Sequence, residues 1–91
     1  SQHSESYYQS MNHQYAIEWN RRYAAGDPRI NSYIDYSLNR DYGFDFNYKL
    51  YMYFRFFEDT NRIKLIPGNP FRHSNFRFMI LNSSHTSYPF F

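Results

Sequence analysis

The chain has 91 residues, about one small domain, and ten Lys and Arg against eight Asp and Glu give a net charge of +2. The absence of Cys excludes a disulfide framework, a thiolate metal site and a Cys nucleophile. So mild a charge does not indicate a nucleic-acid or membrane surface by itself, and no run approaches the length of a membrane span. Aromatic residues make up 24%, so rings must supply most of the core.

The N-terminal part predicts one amphipathic helix. Residues 1–5 are polar and predict a disordered start. From Ser6 an apolar residue recurs at every fourth position, as Tyr7, Met11, Tyr15, Trp19 and Tyr23. Gly26 is the expected stop. We expect this stripe to pack on the rest of the domain, with Trp19 as a core anchor.

A second helix is predicted directly afterwards. Asp27 is a strong N-cap, and Pro28 suits the first helical position because its missing N–H has no intrahelical partner there. The face formed by Ile30, Tyr33, Ile34 and Leu38 predicts a helix of about ten residues that ends near Asn39. A short connection would make the two helices neighbours.

Three runs that follow favour strands. From Phe44 to Phe57 every even-numbered residue is apolar, and Tyr and Phe favour strands. A helix over this stretch would be apolar nearly all round. Residues 62–66 and 75–81 continue the alternation, with turns predicted at 58–61 and from Pro67 to Pro70.

The predicted fold is therefore α+β. Two N-terminal helices would pack on a three-stranded antiparallel meander within one domain at residues 6–82, followed by a loose polar and aromatic tail at 83–91. The alternative is a winged helix, in which residues 45–60 form a third helix before a β-hairpin wing.

Motifs for chemistry are missing from the sequence. It has no nucleophile elbow, phosphate-binding loop or metal-ligand spacing, and its four His residues fall in predicted loops, ends or polar faces. The expectation is a protein that is not an enzyme and binds no cofactor and no metal.

Tyr and Arg side chains supply the candidate partner surface, because both are enriched at interface hot spots. The predicted partner-binding residues are Tyr51, Tyr53, Arg55, Phe57, Arg62, Lys64 and Arg77. They predict a protein-interaction or self-association module of a larger intracellular protein, in the cytoplasm or nucleus.

The rival hypothesis is nucleic-acid binding, either through a winged helix or through a Tyr/Arg sheet face that binds RNA or single-stranded DNA. It takes Tyr51 and Tyr53 as stacking rings. Its phosphate contacts would be Arg55, Arg62, Lys64, Arg72 and Arg77.

Overall fold

The computed structural model describes residues 3–69, and this part of the chain contains two helices and no strand. Helix α1 spans Glu5–Ala24 and helix α2 spans Phe44–Asn61. The predicted α+β fold is therefore wrong. The first two predicted strands, at 44–57 and 62–66, are a helix and an irregular segment. The third, at 75–81, lies outside the described residues, as does the predicted domain boundary at residue 82.

Helix α1 confirms the predicted helix, but the predicted stripe is only partly buried, since Tyr23 at its end is 42% exposed. Its N-cap is Ser4, whose hydroxyl accepts a hydrogen bond from the Tyr7 backbone N–H at 3.2 Å. Gly26 follows the helix with a φ of 87°, a conformation that favours glycine. The buried face includes Tyr8, Tyr15 and Trp19, and Trp19 is only 1% exposed. The expected burial of Trp19 is confirmed.

The predicted second helix is replaced by an irregular connecting segment, residues 25–43. Asp27 caps a single turn, in which its carboxylate accepts from the Arg29 N–H and its carbonyl accepts from the Ile30 N–H. Ile34 is then held by α1, because the Asn20 amide group donates to the Ile34 carbonyl at 2.9 Å and accepts from the Ile34 N–H at 2.7 Å. Side chains of α1 thus satisfy backbone groups that a helix would have satisfied itself.

Helix α2 occupies the stretch that alternation assigned to a strand. A helix that is apolar nearly all round is stable when it is buried on most sides. That condition is met here, since α2 has eight buried residues. Its N-cap is Gly43, whose φ of 87° and ψ of 164° form a combination that is essentially restricted to glycine. The winged-helix alternative correctly places a helix here, but residues 62–66 form no wing strand.

The two helices run in the same direction. At their beginnings the Tyr8 ring contacts the Phe44 and Tyr48 rings, with centroids 5.7 Å and 5.4 Å apart. Near their ends the Trp19 ring contacts the Phe57 ring at 4.7 Å. The connecting segment must therefore run back along the helix pair, which a two-residue or three-residue link could not do.

A second segment, residues 62–69, also returns along the pair and is called the return segment. The Leu65 N–H donates to Glu58, and the Asn69 amide donates to the Tyr15 hydroxyl. The connecting segment contacts α1 through Asn20 and also contacts α2, where the Tyr36 hydroxyl donates to Asn47. Helix α2 is therefore packed by α1 and by both segments.

Candidate functional site

The seven predicted partner-binding residues do not form one surface. Tyr51, Arg55 and Phe57 are buried, at 4%, 3% and 6% exposure, because α2 turns them inward. Tyr53 is half-buried against Trp19, with ring centroids 5.9 Å apart. The remaining three are dispersed, because Arg62 and Lys64 are exposed in the return segment and Arg77 lies outside the described residues. The shared strand face on which the prediction depended does not exist.

Arg55 belongs to a buried polar network. Its guanidinium lies 3.7 Å from the Glu58 carboxylate and donates to the Tyr15 hydroxyl at 3.3 Å. The Tyr15 hydroxyl in turn donates to Glu58 at 2.8 Å. Burial raises the pKa of Glu58, and the hydrogen bonds from Tyr15 and the Leu65 N–H oppose this rise. Burial also raises the pKa of Tyr15, so its hydroxyl stays protonated.

This network is closed to a substrate. Tyr15, Arg55 and Glu58 are each at most 3% exposed, so no molecule from solvent reaches their polar atoms. Their hydrogen bonds join α1, α2 and the return segment instead. Sequence analysis missed the network, because Tyr15 and Glu58 lie 43 residues apart and only the parallel packing brings them together.

A cluster of rings lies where both helices begin, and we call it the aromatic end. Its members are His3, Tyr7, Tyr8, Phe44, Tyr48 and Tyr51. His3 stacks on Tyr7 with centroids 3.9 Å apart, and Phe44 lies parallel to Tyr48 at 6.2 Å. Phe44 is 38% exposed and His3 is exposed, so the cluster reaches solvent. Burial and the neighbouring Tyr7 hydroxyl raise the pKa of Tyr51 to about 12, so its ring is neutral at physiological pH.

A second ring stack stands beside the aromatic end. Tyr42 lies between Tyr36 and Phe46, with centroid distances of 5.0 Å and 4.6 Å. The Arg40 guanidinium lies 5.7 Å from the centroid of the Tyr42 ring, within cation–π range. The surface thus already places one arginine over a ring.

The charges around the aromatic end are slightly negative. Three carboxylates and two cations lie there: Glu5, Asp41, Asp45, Arg40 and Lys49. The Asp45 carboxylate lies 3.2 Å from the Lys49 ammonium nitrogen. The Asp45 side chain is nevertheless 81% exposed. Negative charge at a helix N-terminus is stabilising, and here two N-termini lie side by side.

The opposite end of the helix pair is cationic, and we call it the arginine end. It has five cations and three carboxylates: Arg21, Arg22, Arg29, Arg62, Lys64, Glu18, Asp27 and Asp59. An open depression there is lined by Arg21, Arg22 and Arg29 together with residues 25–28. Glu18 accepts two hydrogen bonds from Arg21, and Asp27 accepts two from the Arg29 side chain, so both guanidiniums are held in fixed planes.

Acid should weaken the arginine end. The hydrogen bonds from Arg21 and Arg22 lower the pKa of Glu18 to about 2, below its ordinary value of 4.5. A depressed carboxyl pKa stabilises the fold above the unfolded-state pKa, and this stabilisation is lost as the pH falls through the folded-state value. We therefore expect Glu18→Gln to lower the free energy of unfolding at pH 7 and to have a much smaller effect at pH 2, where about half of the folded-state Glu18 carboxyls are protonated.

Urea unfolding at the two pH values measures this difference. His13→Gln is the matched control, since His13 is exposed on the same helix and forms no ion pair with a carboxylate within residues 3–69. An equal effect of Glu18→Gln at both pH values would show that its ionisation is not coupled to folding.

Two further features bear on function. Within residues 3–69 no group of three or more His, Asp or Glu side chains is placed to hold a metal ion. Neither α1 nor α2 combines the length and the apolar character needed to cross a membrane.

Comparison with known proteins gives one match. A family model described as a family of unknown function, DUF6146, matches residues 1–68, which include both helices and both ends. No curated protein and no solved structure matched the chain.

Proposed function

We propose that this chain, which belongs to the DUF6146 family of unknown function, is a non-enzymatic protein-interaction module that binds an arginine-bearing protein segment at its aromatic end. The observation that carries the proposal is the continuous cluster of six rings, with Phe44 38% exposed beside the accessible carboxylate of Asp45. Tyr is enriched at interface hot spots. A guanidinium pairs with carboxylates and stacks on ring faces, so such a surface suits arginine better than lysine.

The charge distribution favours a protein partner over nucleic acid. Ten cations are present in the chain, and two of them, Arg72 and Arg77, lie outside residues 3–69. Residues 3–69 therefore contain eight cations and all eight carboxylates, so their formal charges cancel. At least six of these eight cations lie within 4.0 Å of a carboxylate. Nucleic-acid affinity depends on cations that neutralise phosphates, and this region has no excess of them.

Titration with a short peptide tests the proposal. The probe is acetyl-Arg-Gly-Arg-Gly-Arg-amide, and its binding is monitored by the amide chemical shifts of the full chain. The control is the same peptide with Lys in place of each Arg. We expect shifts at residues 3–8 and 44–48, and weaker binding of the Lys peptide. Phe44→Ala should lower the affinity for the Arg peptide by roughly 2- to 10-fold, which corresponds to a cation–π contribution of about 0.5–1.4 kcal/mol.

Ile17→Ala is the matched protein control, because Ile17 is 59% exposed on α1 and lies away from the aromatic end. It should leave the affinity unchanged. Equal affinity of the two peptides, or shifts confined to residues outside the aromatic end, would contradict the proposal. The cytoplasmic or nuclear location expected from the sequence stays part of the proposal, and fractionation of cells that express the tagged protein tests it.

A further inference from the structure

We infer that the arginine-bearing segment is supplied by a second copy of this chain, whose arginine end binds the aromatic end of the first, head to tail. This inference rests on the proposed function and names its partner. The aromatic end has one more carboxylate than cations, and the arginine end has two more cations than carboxylates. The two surfaces are thus complementary in charge. The arginine end supplies guanidiniums, and the aromatic end supplies rings and carboxylates with which guanidiniums stack and pair.

The two ends cannot meet within one molecule. Helix α1 has 20 residues, and at 1.5 Å per residue its ends are about 30 Å apart. Because α2 runs in the same direction, its beginning and end are separated along the same axis. Contact between the two surfaces therefore requires another copy of the chain.

The arginine end is organised to receive a ring. Arg21 and Arg29 each use the Nε and Nη2 atoms to bind a carboxylate within their own chain. Such a pair fixes the plane of the guanidinium and leaves its face for stacking. In the contact that we infer, Phe44 of one copy enters the depression lined by Arg21 and Arg29, and the adjacent Asp45 accepts from an Nη1 group.

A head-to-tail contact uses two different surfaces, and this property gives a specific test. One variant, Phe44→Ala/Asp45→Asn, impairs only the aromatic end. The other, Arg21→Gln/Arg29→Gln, impairs only the arginine end and keeps the Arg22–Glu18 pair. We expect the unmodified chain to grow in mass with concentration in sedimentation experiments, because each copy retains both surfaces. Each variant alone should be a monomer, and an equal mixture should form a one-to-one dimer.

Salt provides a second readout. Raising the ionic strength to about 1 M shortens the screening length to about 3 Å and should weaken the mixed dimer at least tenfold. The emission of Trp19 checks that both variants are folded. A variant that dimerises by itself would overturn the inference in favour of a contact between like surfaces.

An unmodified chain that stays monomeric at every concentration would also overturn it. The peptide titration separates this failure from that of the proposed function. If the chain is monomeric but the Arg peptide still shifts the aromatic end, only the identity of the partner is wrong. If neither association nor peptide binding occurs, both are wrong.

Discussion

Trp19→Ala should unfold the protein or leave it barely stable. The Trp19 indole is 1% exposed, packs on Phe54 and Phe57, and donates its N–H to the Ser32 carbonyl at 2.9 Å. It therefore joins both helices and the connecting segment. Truncation of a buried Trp costs about 3–5 kcal/mol, and a small domain has only about 5–15 kcal/mol in total. Urea unfolding followed by far-ultraviolet circular dichroism measures the loss.

The matched control for this variant is Ile17→Ala on the same helix. Ile17 is 59% exposed, so its truncation should change the free energy of unfolding by at most about 0.5 kcal/mol. Trp19→Phe should lie between the two, since it keeps a ring but loses the hydrogen bond to Ser32. If Trp19→Ala unfolds at the same urea concentration as Ile17→Ala, the packing described here is wrong.

Glu58→Gln is expected to have a comparably large effect. It leaves the Arg55 guanidinium charged and 3% exposed, 3.7 Å from a neutral amide. Removal of one partner from a buried ion pair typically costs about 3–5 kcal/mol, because the remaining charge is neither hydrated nor compensated. The contacts around residue 58 should loosen as well, since Gln has one acceptor oxygen in place of the two that accept from the Tyr15 hydroxyl and the Leu65 N–H.

A double-mutant cycle isolates the ion pair. Arg55→Met removes the cation, and the double variant Arg55→Met/Glu58→Gln has no unpaired charge. We expect the double variant to be more stable than the sum of the two single effects predicts, as measured by urea unfolding with Trp19 fluorescence. Strictly additive effects would show that Arg55 and Glu58 are not coupled.

Sequence reasoning located α1 because five apolar residues recur at intervals of four, which keeps them near one helix face. A strand face would alternate every two residues and would also include Gln9, His13 and Arg21, so the pattern favours a helix. Trp19 on that stripe is buried as expected. A helix whose environment is visible in its own residues can thus be predicted from them.

The same reasoning failed for α2 because its environment is supplied by distant segments. From Phe44 to Phe57 every even-numbered residue is apolar, but the odd-numbered residues, which the strand prediction placed on the outer face, include Tyr51, Arg55 and Phe57, and the structure buries all three. Only the return segment and α1 explain how Arg55 can lie inside. The same residue pattern therefore fits two structures: a strand with one polar face, and a helix that is buried on most sides.

The candidate site was missed for a related reason. A second helix was predicted at 28–39, joined to α1 by a short link and lying beside it. Residues 25–43 instead form an irregular segment that returns along the helix pair, so that α1 and α2 are parallel. His3 and Tyr7 then lie beside Phe44 and Tyr48. Parallel packing also places the two helix N-termini side by side. Each first turn has an acidic residue, Glu5 in α1 and Asp45 in α2, which suits a helix N-terminus. These residues do not indicate that the two N-termini are neighbours.

The parallel direction of α1 and α2 is the central claim, because the aromatic end and the arginine end both depend on it. Since the chain has no Cys, Ser6→Cys accepts a single nitroxide label at the beginning of α1. Paramagnetic broadening of amide signals then reports which end of α2 lies near the label. We predict strong broadening at residues 44–48 and little at 57–61, which lie most of a 27 Å helix away at about 1.5 Å per residue. Strong broadening at 57–61 instead would show that the helices are antiparallel and would contradict the account.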